Sequence, residues 1–139
     1  MRKPDWLKDM IALDRKDLRE VKLTLRGLNL HSVCEGARCP NIGECFASKT
    51  ATFMILGDTC TRNCRFCAVK KGIPALPDKR EPENIAKAAN LMGLKHIVVT
   101  SVTRDDLPDG GAHQFKEVIR TLKRECPGTT VEVLIPDLR

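Results

Sequence analysis

The apolar positions change period along the chain. Across residues 16–26, Leu18, Val21 and Leu25 recur at helical spacing, and Gly27 is a natural stop. Residues 31–49 break that pattern with Cys, Gly, Pro and Asn, and predict an irregular loop. Then Ala51-Thr52-Phe53-Met54-Ile55-Leu56 forms a short apolar, partly β-branched run ending at Gly57, the mark of a buried strand. A proline-bearing linker over residues 72–82 precedes a helix with Ile85, Ala88, Ala89 and Met92 on one face. Pro82 suits its first turn and Gly93 its end. Residues 95–100 read as a second buried strand. Phe115, Val118, Ile119 and Leu122 then fall at i, i+3, i+4 and i+7, a helix ended by Pro127-Gly128. Residues 130–135 read as a third strand.

Strand, helix, strand, helix, strand predicts an α/β fold with a parallel sheet and right-handed connections. Three strands do not close a barrel, and the third would be an open edge with no helix after it. The pattern is that of the front half of a larger α/β barrel. Residues 1–50 form an N-terminal extension with a helix and a cysteine-rich loop, and residues 51–139 the first three strands. No repeat or low-complexity stretch interrupts it.

Composition narrows the class. Of 139 residues, 30% are charged and 42% hydrophobic, as in globular rather than disordered chains. With 24 Lys and Arg against 18 Asp and Glu, the net charge of +6 favours an acidic partner. No Tyr, one Trp and four Phe argue against a base-stacking platform, so no nucleic-acid partner is expected. The opening residues lack an apolar run fit for a leader or a membrane span, so the expectation is a cytoplasmic protein without a membrane partner. In the reducing cytosol, seven cysteines point to metal rather than disulfides.

Six of those cysteines fall in two triplets. Cys60-x3-Cys64-x2-Cys67 follows the first strand at once. Three thiolates on one short loop can hold three irons of a four-iron cubane and leave the fourth open. The carboxyl end of a strand is also where ligands bind in α/β sheets and barrels. The competing reading is structural zinc, which prefers cysteine pairs with a second pair elsewhere. Upstream lies Cys34-x4-Cys39-x5-Cys45, a spacing that by itself leaves a zinc knuckle or redox cysteines open.

With Phe66 as the aromatic residue before its last cysteine, the second triplet resembles the signature loop of the radical S-adenosylmethionine superfamily. That resemblance implies a partial (β/α)6 TIM-like barrel and a [4Fe-4S] cluster. It also implies S-adenosylmethionine bound through its amino and carboxylate groups and cleaved to a 5′-deoxyadenosyl radical that abstracts an unactivated hydrogen. Joined to Val33-Cys34-Glu35-Gly36-Ala37-Arg38-Cys39-Pro40-Asn41-Ile42-Gly43-Glu44-Cys45, the sequence resembles the lipoyl synthases. The segments Ala51 to Gly57 and Ser101-Val102-Thr103-Arg104-Asp105-Asp106-Leu107-Pro108-Asp109-Gly110-Gly111-Ala112 agree with that family too. The resemblance implies a second, auxiliary [4Fe-4S] cluster on Cys34, Cys39 and Cys45. In that family the sulfides of this cluster are inserted at C6 and C8 of an octanoyl chain carried by a lipoyl carrier domain or glycine-cleavage H protein, and the resemblance implies the same substrate here. A reductant such as ferredoxin or flavodoxin would supply electrons.

Weaker signals surround this centre. Thr100, Ser101, Arg104 and Asp105 are candidate contacts to S-adenosylmethionine, beside Phe66. Against that, Asp105, Asp106 and Asp109 could cap turns and the following helix. His31, His96 and His113 read as surface or packing residues rather than ligands, and Cys126 as a packing residue. Lys70-Lys71 and Lys79-Arg80 read as solvated charge, while Arg62 and Arg65 could tune the cluster potential. Members of that family are longer and carry a serine near the carboxyl terminus that ligates the auxiliary cluster. That serine and the later strands are not in this sequence, and Phe46 stands where Trp is frequent. The expectation is that this chain holds the cysteine ligands of both clusters but does not make lipoate alone. Rival readings are another two-cluster radical enzyme, such as a methylthiotransferase or biotin synthase, and a non-catalytic zinc module.

Overall fold

The computed structural model describes residues 15–37 and 39–138. The opening residues read above for a leader, Arg38 inside the first triplet and Arg139 lie outside the described residues. Helix α1 (Arg15–Gly27) forms where the helical spacing put it, with Leu25 buried and Leu18 and Val21 packed against the core.

Residues 31–49 differ from expectation. They fold into a two-residue strand β1 (His31–Ser32) and two short helices, α2 (Val33–Gly36) and α3 (Ile42–Ala47). Ser32 Oγ accepts the Glu35 N–H at 3.2 Å and so starts α2. Elements this short span too few positions to display a period, so the sequence reads as an irregular loop. Buried Phe46 on α3 anchors the segment in the common core.

The sheet begins with β2 (Thr50–Ile55), and a separate small sheet pairs β3 (Thr59–Cys60) with β4 (Lys70–Lys71). Helix α4 (Glu81–Met92) carries Pro82 in its first turn and ends at Gly93 in the left-handed conformation, φ 58°. Strand β5 (His96–Ser101), helix α5 (Ala112–Glu125) and strand β6 (Thr130–Leu134) complete the described order. The main sheet runs β1-β2-β5-β6. β1 lies antiparallel to β2, with His31 opposite Met54. β2, β5 and β6 are parallel, with Thr50 opposite His96 and His96 opposite Thr130.

One face of the sheet is covered. Ala51, Phe53, Ile55, Ile97 and Val99 point onto Ile85, Ala88 and Ala89 of α4 and Phe115, Val118 and Leu122 of α5, all buried in one cluster. On β5 the alternate residues His96, Val98 and Thr100 are only half-buried. β6 is an outer strand of the described sheet, and there Leu134 is 52% exposed and Ile135 63%. Cys126 caps α5 from inside the core, its thiol 3.6 Å from the Ala86 carbonyl.

At the start of α5, Gly111 (φ 99°) sits where a Cβ would come within 2.3 Å of Leu56 Cδ1. Both the left-handed backbone and the contact demand glycine. Gly111→Ala is expected to cost about 2 kcal/mol or more, read as a lower urea midpoint. An unchanged midpoint would contradict the packing described.

Candidate cofactor site

The site is built where β2 leaves the sheet. Leu56 and Gly57 both take positive φ, 68° and 96°, and turn the chain upward. A left-handed leucine costs about 1–2 kcal/mol, so the turn needs support. Its amide donates to both carboxylate oxygens of Glu81 at 3.1 Å, and its carbonyl accepts from Arg104 Nη1 at 3.2 Å. Both partners are buried, Glu81 at 4% exposure and Arg104 at 1%. Gln114 Nε2 donates to Glu81 at 2.8 Å, and Asp106 accepts two bonds from Arg104, at 2.8 and 2.7 Å. Burial pushes the Glu81 carboxyl upward, and the bonds from Gln114 and the Leu56 amide pull it back.

Beyond the turn, β3 and β4 clasp the two ends of the cysteine loop, and Gly72 N–H donates to the Cys60 carbonyl at 3.0 Å. Cys60 packs partly buried, Cys67 is half-buried and Cys64 is exposed. The Arg62 amide lies 3.5 Å from Cys60 Sγ, the kind of N–H to sulfur contact that tunes cluster potentials. Phe66 is 94% exposed at the loop tip.

The loop is tied to the segment after β5. Thr61 N–H donates to the Thr103 carbonyl at 3.1 Å, and its hydroxyl accepts the Asp105 N–H at 3.2 Å. Arg62 donates to both oxygens of Asp105, at 2.9 and 2.8 Å, and to Asp137 at 2.6 Å. Asp105, then Asp137, hold the Arg62 guanidinium charged above its ordinary range. A cavity of about 400 Å³ opens here, lined by Arg62, Thr103, Arg104, Asp105 and Asp137 among others.

The other candidates divide by task. Thr100 donates its hydroxyl to the Leu134 carbonyl at 2.9 Å. Ser101, beside Ile55 across the strand pair, has the buried Oγ that lacks a hydrogen-bond partner among the described residues. The three aspartates of the segment separate: Asp105 meets Arg62, Asp106 meets Arg104, and Asp109 caps α5 through the N–H groups of Gly111 and His113 at 3.0 and 2.8 Å. His96 pairs with Glu132 at 3.2 Å. Sequence reasoning missed Glu81, Gln114 and Asp137, because nothing in their neighbours distinguishes them from surface polar residues.

In the upstream triplet, Cys34 is buried on α2 while Cys39 and Cys45 are half-buried. Burial pushes the Cys34 thiol up, a backbone bond from Thr52 opposes this, and neighbouring Cys39 and Cys45 add to the rise. All seven cysteines are free thiols. Among the described residues no three His, Cys, Asp or Glu side chains gather as a single metal ion requires. A four-iron cluster asks something else, one thiolate for each of several irons.

Residues 54–139 match the family model described as the radical SAM superfamily, and residues 1–39 match the N-terminal domain of lipoyl synthase of the radical SAM family. The lipoyl synthase of Caldanaerobacter subterraneus subsp. tengcongensis is 57% identical over 137 residues, 99% of this chain and 47% of the relative. That of Caldicellulosiruptor bescii is 55% identical over 139 residues, 100% and 47%. That of Symbiobacterium thermophilum is 59% identical over 136 residues, 98% and 42%. The chain thus spans about half the length of the curated relatives it matches.

The Asp109 cap gives a pH test. Bonds from the N–H groups of His113 and Gly111 hold this carboxyl below the usual range. Its contribution is present above the unfolded carboxylate value of about 3.9 and is lost as pH falls through the lower folded value. Asn caps as well as Asp. Asp109→Asn is therefore expected to change neutral-pH stability by less than about 1 kcal/mol while flattening the acid limb of a stability–pH profile. An acid limb identical to the parent's would contradict the assignment.

Proposed function

The chain belongs to the radical SAM superfamily, and we propose that it is the amino-terminal part of a lipoyl synthase holding two iron–sulfur clusters. Cys60, Cys64 and Cys67 hold the [4Fe-4S] cluster that binds S-adenosylmethionine, and Cys34, Cys39 and Cys45 hold the auxiliary one. When bound and reduced, the first cluster supplies the electron that splits S-adenosylmethionine into methionine and a 5′-deoxyadenosyl radical. The donor set fits, since both triplets are free thiols.

One observation carries the reading. A three-thiol loop is launched from the carboxyl end of a parallel strand and tied to the next strand's exit, with the unpartnered Ser101 Oγ buried at the same edge. Buried polar atoms are nearly always bonded, so an unpartnered one beside a cofactor loop leaves a hydrogen bond for a ligand or a water to make. Ser101 meets the cofactor there. Asp105 holds the loop through Arg62 and lines the adjoining cavity with Thr103. The exposed ring of Phe66 offers a stacking face. Thr100 steadies the exits of β5 and β6 through the Leu134 carbonyl.

The substrate is an octanoyl chain on a lipoyl carrier domain or glycine-cleavage H protein, with sulfur from the auxiliary cluster inserted at C6 and C8. The +6 charge suits an acidic carrier. Ferredoxin or flavodoxin would be the reductant, and seven free thiols suit the reducing cytosol. Residues 1–50 serve the auxiliary cluster and residues 51–139 the front of the partial barrel.

Anaerobic reconstitution followed by iron and sulfide analysis tests this. About eight of each per chain are expected, four per cubane, falling to about four in the Cys60→Ala/Cys64→Ala/Cys67→Ala variant. Zinc without sulfide would contradict the reading. Ser101→Ala should keep its iron while weakening S-adenosylmethionine binding about tenfold, the worth of one buried hydrogen bond. Undiminished binding would remove Ser101 from the site.

A further inference from the structure

The backbone of Leu56 is held on both sides of its Cα by buried, oppositely charged side chains. Its N–H faces the Glu81 carboxylate at 3.1 Å, and its C=O faces the Arg104 guanidinium at 3.2 Å. Neither group has a place in the ladder, because β2 ends at Ile55. Each gripping side chain is itself fixed. Gln114 Nε2 bridges Glu81 and the Asp78 carbonyl, at 2.8 and 3.0 Å, and Asp106 chelates Arg104. Gly111 closes the third side, its missing Cβ leaving room for the leucine side chain. Four residues further on comes Cys60.

We infer that Glu81 and Arg104 are positioning residues for the cysteine loop, acting through the backbone of Leu56. Glu81 lies at the start of α4 and Arg104 in the segment after β5, so the turn is referenced to both elements flanking the site. Hydrogen bonds to charged partners are stronger than neutral ones, and one on each of the two peptide planes flanking the Leu56 Cα fixes its φ and ψ. Those two dihedrals set the direction in which Gly57, Asp58 and β3 carry Cys60 off the sheet. A buried arginine on this edge would be an extravagant way to fill space. Its role is to hold a left-handed turn that Leu cannot keep unaided. The link to the cluster rests on the function proposed above; the link to the loop does not.

Hydrogen exchange on the whole chain without iron separates the two. Glu81→Gln offers one acceptor in place of two and turns an NH2 towards either the Leu56 amide or Gln114, both donors. Arg104→Lys cannot chelate Asp106 and reach the Leu56 carbonyl together. Val118→Ala in the α5 core serves as the control for general loosening. Both clamp variants should exchange about tenfold faster across residues 57–72, with α5 changed less than about twofold. The control should loosen α5 at least as much as the loop. Uniform acceleration in the clamp variants, or a loop as protected as the parent's, overturns the inference. A parent chain that takes up no iron or sulfide would overturn the cluster reading while leaving this exchange result standing.

Discussion

The left-handed turn at Leu56 and Gly57 governs how the upper edge of the sheet is arranged. A parallel strand delivers its chain to that edge, but nothing in strand geometry says where the chain goes next. Here the direction is set by one residue, Leu56, whose N–H is held by Glu81 and whose C=O is held by Arg104. Those two side chains arrive from different elements, so the turn depends on α4, the segment after β5 and the start of α5 together. The covered face of the sheet supplies that rigidity through Phe53, Ile55, Ile97 and Val99, each at 1% exposure or less.

Above the turn the interactions change character. Arg62 with Asp105 and Asp137 is a partly exposed network, and such pairs contribute little to stability. Their value is geometric: they join the cysteine loop to the exits of β5 and β6. The buried clamp below and the polar latch above hold the loop at its root and at its first turn. Cys64 and Phe66 remain exposed at the tip, where a cofactor and a partner can reach them. The half-buried face of β5 and the outer strand β6 lie next to the same site.

Much of this was legible in the sequence. β-branched apolar runs marked β2, β5 and β6, and the i, i+3, i+4 pattern marked α5, because burial on one face imposes a period. Cysteine spacing singled out both triplets, since ligand chemistry leaves a local signature. What escaped was short or non-local. β1, α2, β3 and β4 hold two to four residues each, too few for a period. Glu81 reads as an ordinary first-turn glutamate, and only the fold brings it to Leu56, 25 residues away. Arg104 sits among polar neighbours that suggest a solvated loop, yet among the described residues it is the largest of the fully buried side chains. Gly57 announced the end of the strand, but the residue before it also turns left-handed, which a leucine gives no reason to expect.

The central claim is that the loop of Cys60, Cys64 and Cys67 presents a cluster with one iron open to S-adenosylmethionine. Electron paramagnetic resonance of the reconstituted, reduced chain tests it most directly, with spectra taken before and after adding S-adenosylmethionine. The expected result is a cluster signal whose shape changes on addition, and which no longer responds in Cys64→Ala. A signal indifferent to S-adenosylmethionine, or a response that survives in Cys64→Ala, would contradict it.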